Sequence, residues 1–320
     1  MLSKSTARLI HNIVWKELIF VPQKLIYALA LSLLTFLFTA CAFAQEQPKP
    51  IADDDNNKET KNTTRQIDLK NYFEGFNGTA IFYNPAEEKY TVYNKELSEK
   101  QSSPCSTFKI FSTYVGILTD SIDPQNSLRR WNGTQYWMDE WNRDIDLENA
   151  VKYSCVWYFR RVVNDIGPEA MQKYIDEYNY GNKDISDWNG TINTNETNPD
   201  LIGFWIESSL KISPKEQTQV LYKIFTDLKQ TDNHAVENEM KRVFLVYEDK
   251  EKNLKIYGKT GFGRVNGENT DAWFVGMYEL GGKENYFAVR LDDPKKPEST
   301  SAKAKEIALN IIKEKAADLF

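Results

Sequence analysis

Four short motifs carry residue types capable of nucleophilic chemistry, and they occur in this order: Ser106-Thr107-Phe108-Lys109, Ser154-Cys155-Val156, Tyr180-Gly181-Asn182 and Lys259-Thr260-Gly261. Ser106 follows Pro104 closely and opens an apolar-periodic segment that predicts a helix, so Lys109 returns to the same face one turn later. An amine on that face can take the proton of the seryl hydroxyl without any histidine. The backbone N–H of Ser106 lies near the positive end of the same helix, where a developing oxyanion would be stabilised.

The motif Lys259-Thr260-Gly261 closes a predicted strand, Leu254–Lys259, that should run beside the helix of Ser106. The glycine permits a close approach of the two backbones, while Lys259 and Thr260 present donors to an anionic substrate. Each motif alone also has a structural explanation, such as a helix cap for the first serine or a helix-ending turn for Tyr-Gly-Asn. Their occurrence together, in one order, favours a functional site.

Composition and charge exclude several classes of protein. The chain has 320 residues, of which 41% are hydrophobic and 27% charged, so it is not wholly disordered. Residues 1–45 carry four basic residues and one acidic residue, which leaves 36 basic against 45 acidic residues in the remainder. Such an acidic chain is a poor candidate for binding nucleic acid. Only His11 and His234 occur, with three cysteines and no Cys/His zinc spacing, so we expect no metal and no histidine-based triad.

The N-terminal segment predicts export from the cytoplasm. Residues 25–44 carry no charge and follow four basic residues, which is typical of a secretory signal. Cleavage after Ala42-Phe43-Ala44 and a lipoprotein box that ends in an acylated Cys41 are both open, as is an uncleaved anchor. We expect a signal peptide at 1–45, a polar flexible linker at 46–66 and one domain at 67–320, in the periplasm. The membrane would be touched only through a lipid at Cys41.

The order of predicted elements is that of an α+β protein. Strands are predicted at Gly78–Asn84, Lys89–Asn94, Leu254–Lys259, Ala272–Leu280 and Tyr286–Leu291. Helices are predicted at Ser106–Leu118, Asp146–Asn164, Pro168–Tyr178, from Ser213 onward, at Val236–Tyr247 and at Ser299–Leu319. This order predicts an antiparallel β-sheet assembled from both chain ends and flanked by helices, with a mostly helical region inserted between them.

On these motifs the sequence resembles the class D, or oxacillinase-type, serine β-lactamases, and more loosely the sensor domains of β-lactam-responsive receptors. The resemblance covers residues 70–315, and its longest phrases are Pro104–Ile110, Tyr153–Trp157, Tyr180–Asn182, Phe204–Trp205, Ser209–Pro214 and Tyr257–Phe262. The middle element, Ser-x-Val, has the class D form. The resemblance implies a serine β-lactamase/DD-peptidase-like fold and hydrolysis of β-lactam antibiotics through a seryl acyl-enzyme.

The resemblance also implies a role for each residue of the catalytic group. Ser106 would attack the β-lactam carbonyl, and Lys109 would react with CO2 to form N6-carboxylysine, the general base for both acylation and deacylation. Ser154 would pass a proton to the leaving nitrogen, while Val156 and the indole N–H of Trp205 would support the base. A free lysine has a pKa near 10.4, so Lys109 needs apolar surroundings that keep its amine neutral. No cofactor other than CO2 or bicarbonate is implied.

Substrate binding is assigned in the same way. The resemblance implies that the backbone N–H groups of Ser106 and Phe262 form the oxyanion hole, and that Lys259, Thr260 and Gly261 bind a small-molecule β-lactam. The family commonly places an Arg after the last core strand to grip the carboxylate, whereas the stretch 295–301 contains none. Three cations are open as substitutes: Lys295, Lys296 and Arg290.

Two further departures leave alternatives open. The spacer between Asn182 and Trp205 is longer than in such proteins and is either a loop near the site mouth that alters substrate range or a neutral insertion. Cys105 and Cys155 each neighbour a predicted site serine, and a disulfide between them would need Cα atoms within about 7 Å.

Two other functions are weighed against the hydrolase. A non-hydrolytic sensor domain would acylate and stay acylated, and a penicillin-binding DD-peptidase would act on cell-wall peptides. A receptor sensor should follow several membrane spans, and a peptidase would more often show Ser-x-Asn and a C-terminal membrane helix. The single predicted leader and the charged tail therefore favour the hydrolase.

Overall fold

Seven strands form one sheet in the computed structural model, which describes residues 63–320. The strands are β1 (Thr63–Gln66), β2 (Gly78–Asn84), β3 (Lys89–Tyr93), β4 (Leu245–Asp249), β5 (Leu254–Val265), β6 (Glu268–Leu280) and β7 (Lys283–Leu291). Their order is β1-β3-β2-β7-β6-β5-β4, and every neighbouring pair is antiparallel except β1 and β3. The predicted fold class, α+β with a mostly antiparallel sheet, is confirmed. The predicted signal peptide, Cys41 and most of the linker lie outside the described residues.

Nine helices accompany the sheet within those residues. They are α1 (Lys70–Phe73), α2 (Lys95–Glu99), α3 (Phe108–Leu118), α4 (Leu147–Lys152), α5 (Val156–Ile166), α6 (Pro168–Glu177), α7 (Pro214–Gln230), α8 (His234–Phe244) and α9 (Ser301–Lys315). Short 3₁₀ turns occupy Cys105–Thr107 and Asp139–Trp141. Between residues 63 and 320, no helix combines the length and apolar character needed to cross a bilayer.

Helices cover both faces of the sheet because the strands alternate apolar side chains between the faces. In β2, Ile81 belongs to the core shared with α3 and α7, whereas Phe82 belongs to the core shared with α9. The start of α7 carries a capping box, in which Ser213 and Glu216 each accept the other's backbone N–H. The sheet therefore has a fixed position between two helical layers, and the site can form at its edge.

The first strand lies at the end of the segment predicted as a linker. Thr63–Gln66 pair in parallel with β3 through backbone hydrogen bonds, while all four side chains are exposed. An edge strand of this kind needs no apolar side chain, so composition alone does not distinguish it from a linker.

The helix predicted to continue to Tyr247 ends at Phe244, so the helical prediction for Leu245–Tyr247 is wrong. These residues begin β4, which pairs antiparallel with β5. Val246 and Tyr247 have side chains that favour strands, and the open edge of β5 supplies the backbone partner.

The prediction of one helix over Asp146–Asn164 is also wrong. The segment forms two helices, α4 and α5, which are separated at Ser154. Ser154 has φ of +53°, in the left-handed region. The N–H of Cys155 reaches back to the carbonyl of Ala150, which closes the first helix. The break turns Ser154 out of a helical position and toward the start of α3.

Candidate active site

The 3₁₀ turn Cys105–Thr107 leads directly into α3 and places Ser106 beside Lys109. The Nζ atom of Lys109 lies 2.7 Å from Ser106 Oγ, within hydrogen-bond distance. The N–H of Cys105 donates to the carbonyl of Trp205, and Thr107 bonds back to Pro104, so the turn is held at both ends. The structure therefore brings the predicted nucleophile and the predicted base together.

Lys109 is a buried cationic side chain with an exposed fraction of 0%. Burial lowers the pKa of its amine from 10.5 to about 7. Its nearest polar groups besides Ser106 are the carbonyl and hydroxyl oxygens of Ser154, each at 3.0 Å from Nζ. The ring of Phe159 lies 5.7 Å away. Burial therefore favours the neutral form of this amine.

Ser154 connects the two lysines of the site. Its hydroxyl lies 3.0 Å from Lys109 Nζ and 3.0 Å from Lys259 Nζ. Burial, together with the positive charges of Lys109 and Lys305, holds the pKa of Lys259 well below its ordinary value. Ser106, Lys109, Ser154 and Lys259 thus form one continuous chain of hydrogen-bonded groups through which a proton can move.

The edge of β5 next to Ser106 is open. Pairing with β4 extends only to Tyr257, and the 3₁₀ turn of Ser106 lies against β5 beyond that point. A Cβ atom at position 261 would lie 2.8 Å from Thr107 Cγ2 and 2.9 Å from Pro104 O, so the close approach requires the glycine. Ser106 and Phe262, whose N–H groups are the predicted oxyanion hole, line one cavity of about 240 Å³.

Val156 and Trp205 flank the site. Val156 begins α5 and lines the Ser106 cavity. Trp205 is fully buried and stacks on Phe108, the residue before Lys109, with ring centroids 5.6 Å apart. Its indole Nε1 has no hydrogen-bond partner among the described residues, which is rare for a buried N–H. A donor without an acceptor and a neutral lysine amine fit a carbamate on Lys109.

Tyr180-Gly181-Asn182 has a supporting position. The amide of Asn182 donates to Ser209 O, and its Oδ1 accepts the N–H of Lys211. Tyr180 is buried against Phe108. The motif therefore joins the segment after Trp205 to the core beneath Ser106.

Lys295, Lys296 and Arg290 were considered as carboxylate binders. None of them lines the cavity of Ser106 or a second cavity that Lys259 lines. Arg290 is 2% exposed and pairs with Asp271 at 2.5 Å. Lys296 donates to Gly75 O and lies over the ring of Phe76. Arg290 and Lys296 are committed to these contacts, and Lys295, in the same turn, lines neither cavity.

Lys305 on α9 is a cation of the site that the motifs do not indicate. It lines a cavity of about 330 Å³ together with Lys259 and Thr260, and burial lowers the pKa of its amine. Its Nζ lies 5.9 Å from the ring of Phe274, which pairs with Thr260 across β5 and β6. Lys305 reaches this cavity because β5 and β6 pair in this register and α9 packs on β6. No local sequence pattern indicates that Lys305 belongs to the site.

The remaining candidates have other positions. Cys105 and Cys155 are both free and buried, so no disulfide joins them. Burial raises the pKa of the Cys155 thiol to about 12 and that of Cys105 well above its ordinary value, which keeps both thiols protonated beside Ser106. His234 lies exposed at the start of α8, next to Asp232, and lines neither cavity.

Comparison with known proteins defines the class. Residues 52–313 match the family described as the penicillin binding protein transpeptidase domain. Since this match spans most of the 320 residues, the chain belongs to that family.

Within the family, the chain is similar to two groups of curated proteins. It is 33% identical over 254 residues to the regulatory protein BlaR1 of Bacillus licheniformis, an alignment that covers 78% of this chain and 39% of BlaR1. It is 31% identical over 244 residues to the β-lactamase OXA-1 of Escherichia coli, covering 75% of this chain and 85% of OXA-1. The chain thus spans about two fifths of the length of BlaR1 and most of the length of OXA-1.

Solved structures give the same two groups. The C-terminal domain of the Bacillus licheniformis BlaR penicillin-receptor superposes with a TM-score of 0.69 at 29% identity, covering 81% of this chain and 98% of that domain. A class D β-lactamase from Bacillus subtilis superposes with a TM-score of 0.65 at 29% identity, covering 78% and 96%. The predicted relation to class D β-lactamases and receptor sensor domains is confirmed.

Proposed function

We propose that the protein hydrolyses β-lactams through an acyl-enzyme on Ser106. The observation that supports this most directly is Lys109, which is fully buried, has a pKa of about 7 and lies 2.7 Å from Ser106 Oγ. An amine that is neutral near physiological pH can act as a base toward the seryl hydroxyl. The same neutral state is required for reaction with CO2.

Acylation follows from the hydrogen-bonded chain. Either form of Lys109, the neutral amine or its carbamate, can remove the hydroxyl proton of Ser106 as Oγ attacks the lactam carbonyl carbon. The negative charge on the carbonyl oxygen is stabilised by the N–H groups of Ser106 and Phe262, each worth about 3 kcal/mol. The lactam C–N bond then breaks, and Ser154, which bridges Lys109 and Lys259, delivers a proton to the leaving nitrogen.

Deacylation needs a general base that activates water. Carboxylated Lys109 supplies that base chemistry. Trp205 has the buried and unpartnered N–H that would hold the added carboxylate group, and Val156 would limit the access of bulk water to it. Burial also favours the neutral form of the Lys109 amine.

The anionic group of the substrate is proposed to lie in the cavity of Lys259, Thr260 and Lys305. Thr260 stands two residues before Phe262 on β5, about 7 Å along a strand. A small bicyclic lactam with its carbonyl at Phe262 therefore has its carboxylate within reach of this cavity. The cavity wall also contains Lys152, Arg242 and one carboxylate, Glu148, which pairs with Arg242. Lys305 has no ion pair among the described residues, and Lys259 donates to Ser154 and Thr260, so an anion there would meet mostly basic side chains.

A second candidate is a sensor that acylates and remains acylated. The similarity to BlaR1, and to the methicillin resistance protein MecR1 of Staphylococcus aureus at 33% identity over 246 residues, favours it. Both functions share the acylation step and differ only in whether water releases Ser106.

The deciding experiment is turnover of a chromogenic cephalosporin, followed together with the intact mass of the protein. The hydrolase gives many turnovers, and the rate rises when bicarbonate is added to CO2-depleted buffer. Lys109→Ala should lose this turnover, and Ser106→Ala should form no adduct. One turnover followed by a stable adduct on Ser106 would establish the sensor instead, and absence of any adduct would overturn both proposals.

The proposed location is outside the cytoplasm, in the periplasm. The motivating feature is the uncharged run of residues 25–44 after a basic segment. Labelling cells with a radioactive fatty acid tests the lipoprotein form, with Cys41→Ala as its control. Label that depends on Cys41 would identify a lipoprotein, and recovery of unlabelled protein in the periplasmic fraction would identify the cleaved soluble form. Retention in the cytoplasm would refute export.

A further inference from the structure

Glu207 is a half-buried acidic residue that lines the Ser106 cavity and has no part in the proposed mechanism. It follows Trp205 by two residues and has φ of +48°, in the left-handed region that non-glycine residues rarely adopt. Its backbone N–H donates to Ser103 Oγ at 2.8 Å, which holds the backbone in this conformation. A disfavoured conformation that is kept beside a nucleophile points to a functional role.

The carboxyl group of Glu207 lies between the turn of the nucleophile and the β5–β6 hairpin. Its Oε1 accepts the thiol of Cys105 at 3.5 Å and the hydroxyl of Thr270, on β6, at 2.7 Å. A Cβ atom at position 263 would lie 1.7 Å from the same oxygen, so Gly263 of β5 leaves the space that the carboxyl group fills. One oxygen atom therefore contacts the turn, β5 and β6.

The β5–β6 pairing contains a β-bulge beside Glu207. Between two regular pairs, Gly263 of β5 faces both Thr270 and Asp271 of β6. A bulge changes the direction of the side chains around it and is common beside active sites. Here Thr270 reaches Glu207. Asp271 accepts the hydroxyl of Ser102. Strand β6 is therefore connected to the segment before the nucleophile directly, through Asp271, and indirectly, through Glu207.

These contacts lie on either side of one of the two proposed oxyanion donors. The donors are the N–H groups of Ser106 and Phe262, which belong to segments far apart in the chain. The turn of Ser106 contacts β5 at Gly261, on one side of Phe262. Glu207 supplies the contact on the other side, at Gly263. Phe262 is therefore held at both of its neighbours, and the distance between the two donors depends on both contacts.

We propose that Glu207 is a positioning residue that holds the N–H of Phe262 at the distance from Ser106 that the oxyanion requires. This inference rests on the proposed acylation of Ser106. The carboxyl group acts through its shape and its acceptor oxygen, because a negative charge beside a developing oxyanion would oppose the reaction. An uncharged side chain of the same shape should therefore serve as well as glutamate.

The test compares Glu207→Ala with Glu207→Gln in the full chain. Quenched-flow mass spectrometry measures the formation of the Ser106 adduct at several concentrations of benzylpenicillin. These data separate the acylation rate constant from the dissociation constant of the first, non-covalent complex. Since an oxyanion donor acts on the transition state, Glu207→Ala should lower the acylation rate constant about tenfold and leave the dissociation constant unchanged. Glu207→Gln should keep both wild-type values.

Phenylboronic acid supplies a second measurement that reports on the oxyanion position itself. Its boron atom bonds to Ser106 Oγ, the seryl proton passes to Lys109, and one hydroxyl on the tetrahedral boron takes the place of the oxyanion. The affinity for this acid should fall in Glu207→Ala by the same factor as the acylation rate constant, and recover in Glu207→Gln. Thr270→Val removes one donor to Glu207 and keeps the side-chain shape, so it should lower both quantities by a smaller factor. If Glu207→Ala does not fold, Thr270→Val decides by the same two measurements.

The matched control is Glu268→Ala, because Glu268 is an exposed acidic residue of the same hairpin. It should keep the wild-type values. An unchanged acylation rate constant in Glu207→Ala would overturn the inference, as would an equal loss in Glu207→Gln, which would show that the charge is needed. A smaller amount of adduct with unchanged constants would show a merely structural role and overturn it too. Absence of any adduct in the wild type would instead refute the proposed acylation itself.

Discussion

Replacing Lys109 with methionine should make the protein more stable at neutral pH while abolishing activity. Methionine has a similar length and no charge, so it removes the cost of keeping an amine in an apolar niche. The pKa of Lys109 falls from 10.5 to about 7 on folding. At about 1.36 kcal/mol per pKa unit, this costs the folded state about 5 kcal/mol at pH 7. The substitution also loses three hydrogen bonds, each worth about 1 kcal/mol, so a net gain of about 1–2 kcal/mol is expected.

The pH dependence has a definite sign. Lys109 has a lowered pKa in the folded state, so the unfolded chain binds more protons between about pH 7 and pH 10.5, and wild-type stability rises with pH in that window. From pH 7 to pH 9 this contribution amounts to about 2 kcal/mol. The stability that Lys109→Met gains over the wild type should therefore decrease by the same amount from pH 7 to pH 9.

The measurement is urea unfolding of both proteins at pH 7, 8 and 9 in buffer depleted of CO2, so that Lys109 remains an amine. Lys250→Met is the matched control, because Lys250 is exposed in the turn between β4 and β5. Its stability difference from the wild type should not change with pH. If the difference in the free energy of unfolding between Lys109→Met and the wild type is also independent of pH, the claim that burial lowers the pKa of Lys109 is refuted.

Three further outcomes follow from the site and the core. Trp205→Phe keeps the buried ring but removes the unpartnered N–H, so deacylation should slow by about 10-fold or more while the acylation rate measured by adduct mass stays unchanged. Lys305→Met should raise KM about tenfold for a penicillin with a free carboxylate and leave KM for its methyl ester unchanged; equal effects on both would contradict anion binding. Arg290→Ala leaves Asp271 buried without its cation and should lower the free energy of unfolding by about 3–5 kcal/mol, measured by urea titration.

The parts of the site that could be predicted from the sequence are the ones that depend on local spacing. Ser106 and Lys109 are three residues apart at the start of α3, and one helical turn suffices to join them. Lys259 and Gly261 belong to a strand whose β-rich pattern is equally local. The pairing of that strand with the turn of Ser106 was inferred from motif order, and the fold places the two in contact.

The parts that could not be predicted depend on contacts between distant segments. The helix break at Ser154 has neither glycine nor proline to indicate it, because the left-handed residue is a serine. Lys305 reaches the site only through the pairing of Thr260 with Phe274 and the packing of α9 on β6. The path of the long spacer after Asn182 depends on hydrogen bonds between Asn195 and residues about 70 positions later. Periodicity within one segment contains no information on any of these.

The pairing of β4 with β5 ends at Tyr257, and this has a consequence for self-association. Beyond Tyr257, β5 has no strand beside it on this edge, and an unpaired strand edge is the usual origin of aggregation in sheet proteins. Here the free stretch is short, lies against the turn of Cys105, and is accompanied by the amine side chains of Lys259 and Lys305. We therefore expect this recess to exclude a polypeptide strand and to admit the compact anion of the proposed function. The same geometry would then limit both the addition of a strand from another molecule and the size of the proposed anion.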